Sequence, residues 1–195
     1  MKTILIVVVL MLSISCGHCE TATPNDSLAK CQATLAAMDV PTMAKLQDGT
    51  KSGKDLYEAQ KYKEAVPVLL NAYRVGLFLF DTMNCNIDRQ KQKTQSYIIE
   101  CRASGTEYRT SEIYVACLQN ESNSYNVSMD IGKQMNECTF YIGMSYRKIG
   151  DDKSALPYLI STAKASRELF DEAWAQIEEI TGIRVPKQDN SKVPS

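Results

Sequence analysis

The apolar positions of this chain recur at three- and four-residue steps, and nowhere do they alternate convincingly as a half-buried strand requires. Leu28, Leu35, Met38 and Met43 fall at helical spacing, with Pro41 as a break. Gly49 and Gly53 punctuate the next helix, which Leu56, Tyr57 and Ala59 carry into a polar turn at Gln60-Lys61. Ala65, Val68, Leu69 and Ala72 then form the i, i+3, i+4, i+7 stripe of an amphipathic helix. Pro67 is placed in its first turn, where a missing N–H costs least. Leu77 to Phe80 are apolar all round, so this helix is expected to be long and buried. Residues 86–103 predict another helix around Tyr97, Ile98 and Ile99, closed by a turn at Ser104-Gly105-Thr106.

Ile113 to Leu118 form the next apolar stretch. Residues 120–128 are polar and rich in Asn and Ser, which predicts a loop. Ile131, Met135, Phe140, Tyr141, Ile142 and Tyr146 restore the helical stripe. Gly150-Asp151-Asp152 reads as a turn with an acidic N-cap, before a helix carrying Ala155, Leu159, Thr162 and Ala163. Leu169, Phe170, Trp174, Ile177 and Ile180 extend the stripe to a stop at Gly182. The pattern predicts an all-α domain over residues 28–183, with a polar leader at 20–27 and a disordered tail at 184–195.

The chain also repeats itself. Residues 61–81 (KYKEAVPVLLNAYRVGLFLFD) echo residues 151–171 (DDKSALPYLISTAKASRELFD), ungapped, 90 positions later. Lys63, Ala65, Pro67, Leu69, Leu79, Phe80 and Asp81 recur as Lys153, Ala155, Pro157, Leu159, Leu169, Phe170 and Asp171. Upstream, Gly53 matches Gly143. Self-similarity at a fixed offset is the mark of stacked helical units.

At 195 residues and a net charge of −1, the chain supports one ordinary domain with a mixed surface. No basic stripe argues for nucleic acid. Met1-Lys2, the apolar run Ile4 to Leu12 and the small residues Ser13, Ser15 and Gly17 read as a signal peptide over residues 1–19. That run is shorter than the roughly 20 residues a membrane span needs, and no other stretch reads as a span. Export is therefore expected, with no membrane insertion afterwards. Ser13-Ile14-Ser15-Cys16 partly resembles a bacterial lipobox, so a lipid anchor at Cys16 and a periplasmic or outer-membrane location form the alternative. Cleavage after Gly17 leaves six cysteines and cleavage after Cys19 leaves five. In an oxidising compartment these are expected to staple helices. Cys117 and Cys138 flank the predicted 120–128 loop, and two antiparallel helices leaving it would bring them together.

Gly143, Tyr146, Gly150, Asp151, Ala155 and Leu159 resemble the tetratricopeptide repeat, with a weaker copy at Gly53, Leu56, Tyr62, Ala65, Leu69 and Ala72. The resemblance implies stacked antiparallel helical hairpins in a right-handed solenoid, here reinforced by disulfides. It also implies a groove lined by the first helix of each hairpin. Phe140, Met144, Arg147 and Lys148 would face it from the stronger copy, and Lys54, Tyr57 and Glu58 from the weaker. The family repeat is about 34 residues, so the 90-residue offset leaves space for a degenerate repeat or a helical insertion.

Catalytic chemistry is sparse. The one histidine, His18, lies in or beside the leader, which removes His-based triads and most zinc sites from the mature chain. No phosphate loop, dinucleotide fingerprint or EF-hand pattern is present, and no cofactor is expected. Asn25, Asn120 and Asn126 head Asn-x-Ser sequons, candidates for glycosylation. The sequence thus leads to an exported, non-enzymatic module that binds a protein or peptide. The alternative is a secreted, disulfide-stapled helical inhibitor or effector of an enzyme.

Overall fold

The computed structural model describes residues 40–184. The expected signal peptide and leader, Cys16, Asn25 and the tail from residue 185 lie outside the described residues. The chain divides into two units, Met1–Val40 and Pro41–Ser195. All described helices belong to the second: α1 (Met43–Glu58), α2 (Tyr62–Ser104), α3 (Glu112–Ile149), α4 (Asp152–Ala165) and α5 (Phe170–Thr181). There is no strand among the described residues. The fold is all-α.

The helix ends follow from their chemistry. Thr42, Ser111 and Asp151 are N-caps whose side chains accept from Lys45 N, Tyr114 N and Ser154 N. The Asp151 carboxyl is held below its usual range by those hydrogen bonds from Ser154. Gly105, Gly150 and Gly182 close α2, α3 and α5 in the left-handed conformation that glycine adopts at little cost.

The internal echo is a structural one. Gln60 (φ 62) closes α1 as Gly150 (φ 86) closes α3. Gln60 N donates to Tyr57 O and Lys61 N to Leu56 O. Ninety residues on, Gly150 N donates to Arg147 O and Asp151 N to Tyr146 O. Ala65 and Ala155 are both wholly buried, as are Leu69 and Leu159. Gly53 faces Leu69 and Gly143 faces Leu159, so each hairpin closes on a glycine that admits a leucine. Gly49 meets Ala72 at the level where Thr139 Oγ1 accepts from Thr162 Oγ1. Each hairpin has its own core. Leu46, Ala65, Leu69 and Ala72 join Ile131, Cys138 and Ile142 of α3. Phe140, Ala155, Leu159 and Ala163 join Ala173 and Ile177 of α5. α3 serves both.

The equivalence ends at Gly76 and its counterpart Ser166. α4 stops at Ala165, whereas α2 runs on to Ser104. Leu79-Phe80-Asp81 therefore lie inside α2, while Leu169-Phe170-Asp171 begin α5 after a break. The long helix expected through Leu77 to Phe80 forms, with Leu77 and Phe78 exposed rather than buried, while its counterpart α4 is short. Pro67 and Pro157 are also one turn further in than expected, each the sixth residue of its helix. Both prolines are exposed, as are Lys63 and Lys153, whose carbonyls lose their helical partner there.

The largest departure is at residues 120–128, where the expected loop is helix throughout. α2 and α3 form one antiparallel hairpin that reaches well past α1 and α4. Its seam is heptad-spaced, with Ile87, Thr94 and Cys101 buried on α2. Asn86 Nδ2 donates to Ser124 Oγ (3.1 Å), Ser128 Oγ to Asn84 Oδ1 (3.4 Å), and Tyr97 shares a hydrogen bond with Ser111 (2.9 Å). Ser124 and Ser128, within the segment that read as a loop, are contacts between the two helices.

α2 is also, among the described residues, one helix long and apolar enough by length and composition to cross a membrane. The sequence alone did not read it so. Here its residues Ala65, Leu69, Ala72 and Gly76 pack into the protein core.

Candidate functional site

The residues expected to line a groove lie on α1 and α3, which the fold does bring together. Lys54 Nζ of α1 donates to Glu137 Oε1 of α3 (3.3 Å) and stands 5.4 Å from the centre of the Tyr141 ring. The Glu137 carboxylate raises the Lys54 pKa above its usual value. Tyr57 packs edge-on against Tyr62 and Tyr141, at 5.3 and 5.2 Å. Burial raises its phenol pKa. Lys54 and Tyr57 thus join α1 to α3 within the molecule.

The four α3 positions separate. Phe140 is 6 % exposed and belongs to the second core, so no partner reaches it. Met144 is half-buried against the same core. Arg147 is a tie between helices. Its Nη2 meets Glu179 Oε2 at 2.9 Å, its Nη1 donates to Gln176 O at 3.1 Å, and its Nε lies 3.3 Å from Asp152 Oδ1. Lys148 and Glu58 are exposed. Lys148 borders a shallow depression with Ile149 and residues 60–64 of the first turn. Two of the seven expected groove residues therefore stand free in solvent.

The Cys117–Cys138 bridge is excluded by the continuous helix. Both residues lie on α3, 21 positions or about 31 Å apart along its axis. A disulfide needs Cα atoms within about 7 Å. Cys85, Cys101, Cys117 and Cys138 are all free thiols. Cys138 is fully buried beside Thr50 Oγ1 (3.2 Å), and desolvation pushes its thiol pKa up to about 11. A protonated, enclosed thiol is a poor nucleophile. Asn120 and Asn126 are exposed on the helix rather than in a loop. Among the described residues no cluster of His, Cys, Asp or Glu could hold a metal.

What sequence reasoning missed is the outer surface of the α2–α3 hairpin. Polar groups share its seam with Ile87 and Cys101, and several large apolar residues point away from it. Ile99, Ile113, Val115, Leu118, Tyr125 and Met129 are all exposed. Reading 120–128 as a loop hid this inversion, because the α3 stripe crosses that segment.

The chain matches no protein-family model, no curated protein sequence and no solved structure.

Proposed function

We propose that this chain is an exported, non-enzymatic protein-binding module whose contact element is the projecting α2–α3 hairpin. Two like helical hairpins, stacked as in the tetratricopeptide resemblance, form a rigid base. The hairpin reaches out from it. One observation carries this reading: the hairpin's seam is rich in polar groups while many of its large apolar residues face solvent. Thr94, Asn86, Ser124 and Ser128 share its seam with Ile87 and Cys101, while Met129 is 61 % and Ile99 65 % exposed. A two-helix seam with so many hydroxyls and amides stabilises weakly, because burial of apolar area is the main driving force. Exposed Leu, Ile and Met on the same hairpin stabilise it when a partner covers them.

The proposed groove along α1 and α3 supports binding less well, since Phe140 and Arg147 are committed to the fold. The two surfaces are separable. Leu118→Asp with Met129→Asp should abolish capture of a partner identified by mass spectrometry in the exported fraction. Glu58→Lys with Lys148→Glu should leave it intact. The opposite pattern would return the function to the groove.

A further inference from the structure

The exposed stripe on α3 continues a face that is already occupied. Asn136, Thr139 and Gly143 of α3 meet Ala165, Thr162 and Leu159 of α4, respectively. Counting back from Asn136 in steps of about 3.6 residues gives Gly132, Met129, Tyr125, Ser122, Leu118 and Tyr114, with Val115 flanking the last of them. These positions lie on the line that α4 covers. α4 stops at Ala165, level with Asn136, and no other described helix lies over the rest. Met129, Tyr125, Leu118 and Val115 are 61, 40, 44 and 44 % exposed. The bare track therefore calls for a helix running antiparallel to α3.

The residues beside the track show which helix. Glu112, Gln119, Asn126 and Lys133 are spaced by seven along one flank of the stripe. In an antiparallel pair, residues at the same heptad position face each other across the rim. Placing a second α3 antiparallel on the first, centred near Ser122, sets Val115 against Met129 and Leu118 against Tyr125. The same register sets Glu112 against Lys133 and Gln119 against Asn126. The α3 flank is thus complementary to itself in charge, acidic at one end and basic at the other. Glu112 and Lys133 are both exposed, with no ion pair between them and other described residues. In this register the second α3 begins opposite Gly132, just short of the end of α4.

We propose that two copies of this chain pair through α3, forming an isologous antiparallel dimer over Val115 to Met129. A twofold axis through Ser122 makes every contact occur twice, so each favourable pair counts double. This rests on the reading of the hairpin as the contact element and names a second copy as its occupant. Asn126 stands on the paired rim, so a glycan there opposes the dimer, whereas one on Asn120 does not.

The test is the mass of the unglycosylated full chain in solution, by light scattering across a concentration series. Twice the chain mass in the micromolar range is expected. Leu118→Asp should weaken pairing at least a hundredfold, since two carboxylates would enter the apolar stripe. Glu112→Lys alone and Lys133→Glu alone should each weaken it about tenfold, through two rim contacts per dimer. The double variant should restore it. A chain monomeric at every concentration overturns the proposal, as does a dimer indifferent to Leu118→Asp. If a monomeric chain still loses a different protein partner on Leu118→Asp, self-pairing fails while the hairpin remains the binding element.

Discussion

Gly53 lies so close to Leu69 that a methyl group on the glycine would overlap the leucine Cγ, and Gly143 repeats the relationship with Leu159 at 2.8 Å. Both leucines are completely buried, so neither can swing clear without vacating its core. Alanine stabilises a helix over glycine by roughly 0.5–1 kcal/mol. Forced packing at a tight site costs about 1–3 kcal/mol. The steric term wins. Gly53→Ala and Gly143→Ala are each expected to lower stability by about 1–2 kcal/mol in denaturant melts. Double-mutant cycles should couple Gly53 to Leu69 and Gly143 to Leu159, but not Gly53 to Leu159.

Cys138 gives the base a pH limit. Its thiol pKa is about 11, raised first by desolvation, against a reference of 9.0. The folded state therefore holds the proton more tightly than the unfolded chain. The sign follows: below pH 9 both states are protonated and nothing is lost. Between about pH 9 and 11 the unfolded thiol ionises first, and stability falls by on the order of 2 kcal/mol. Cys138→Ala should flatten that part of the stability profile relative to wild type. Thr50 Oγ1 keeps its bond to Leu46 O in this variant. Cys138 should also resist alkylation at pH 8, where the exposed Cys85 reacts.

Arg147 holds α5 to the base through Glu179 and Gln176. Arg147→Met should loosen α5 by about 1 kcal/mol, read as faster amide exchange over residues 170–181 with α1 unaffected. Arg147→Lys should not restore protection, because an ammonium lacks the guanidinium's three separate nitrogens that here reach Asp152, Gln176 O and Glu179. High salt should narrow the gap between wild type and Arg147→Met.

The hairpin's polar seam predicts uneven stability along α2 and α3. In dilute solution, amides at 88–103 and 113–127 should exchange at least about tenfold faster than those at 65–76 and 134–146. Uniform protection along both helices would contradict a weak outer half.

What the sequence made legible was set by sterics. Gly53, Ala65, Leu69 and their counterparts at 143, 155 and 159 are constrained wherever two helices touch, so their spacing survives in the residue pattern. The turns at Gln60 and Gly150 and the stop at Gly182 were readable for the same reason. The α2–α3 seam was hidden because many of its contacts are hydroxyls and amides. Ser124 Oγ accepts from Asn86 Nδ2 across the seam and donates to Asn120 O (2.9 Å) within the helix. Thr94 Oγ1 similarly bonds Gln90 O. Such residues have modest helix propensity and mimic a loop when read one at a time. The error spread outward. It placed Cys117 and Cys138 on facing helices, while the tetratricopeptide resemblance sent the binding surface to α1 and the end of α3. Arg147 could not be recognised as a tie, since its partners on α5 are set by tertiary packing.

The most direct test of the hairpin as contact element is photocrosslinking from a single reactive side chain placed at Leu118, compared with one at Lys148. The account predicts a protein adduct from position 118, mapped by mass spectrometry to residues of the captured chain, and none from position 148. An adduct formed from position 148 alone would contradict it.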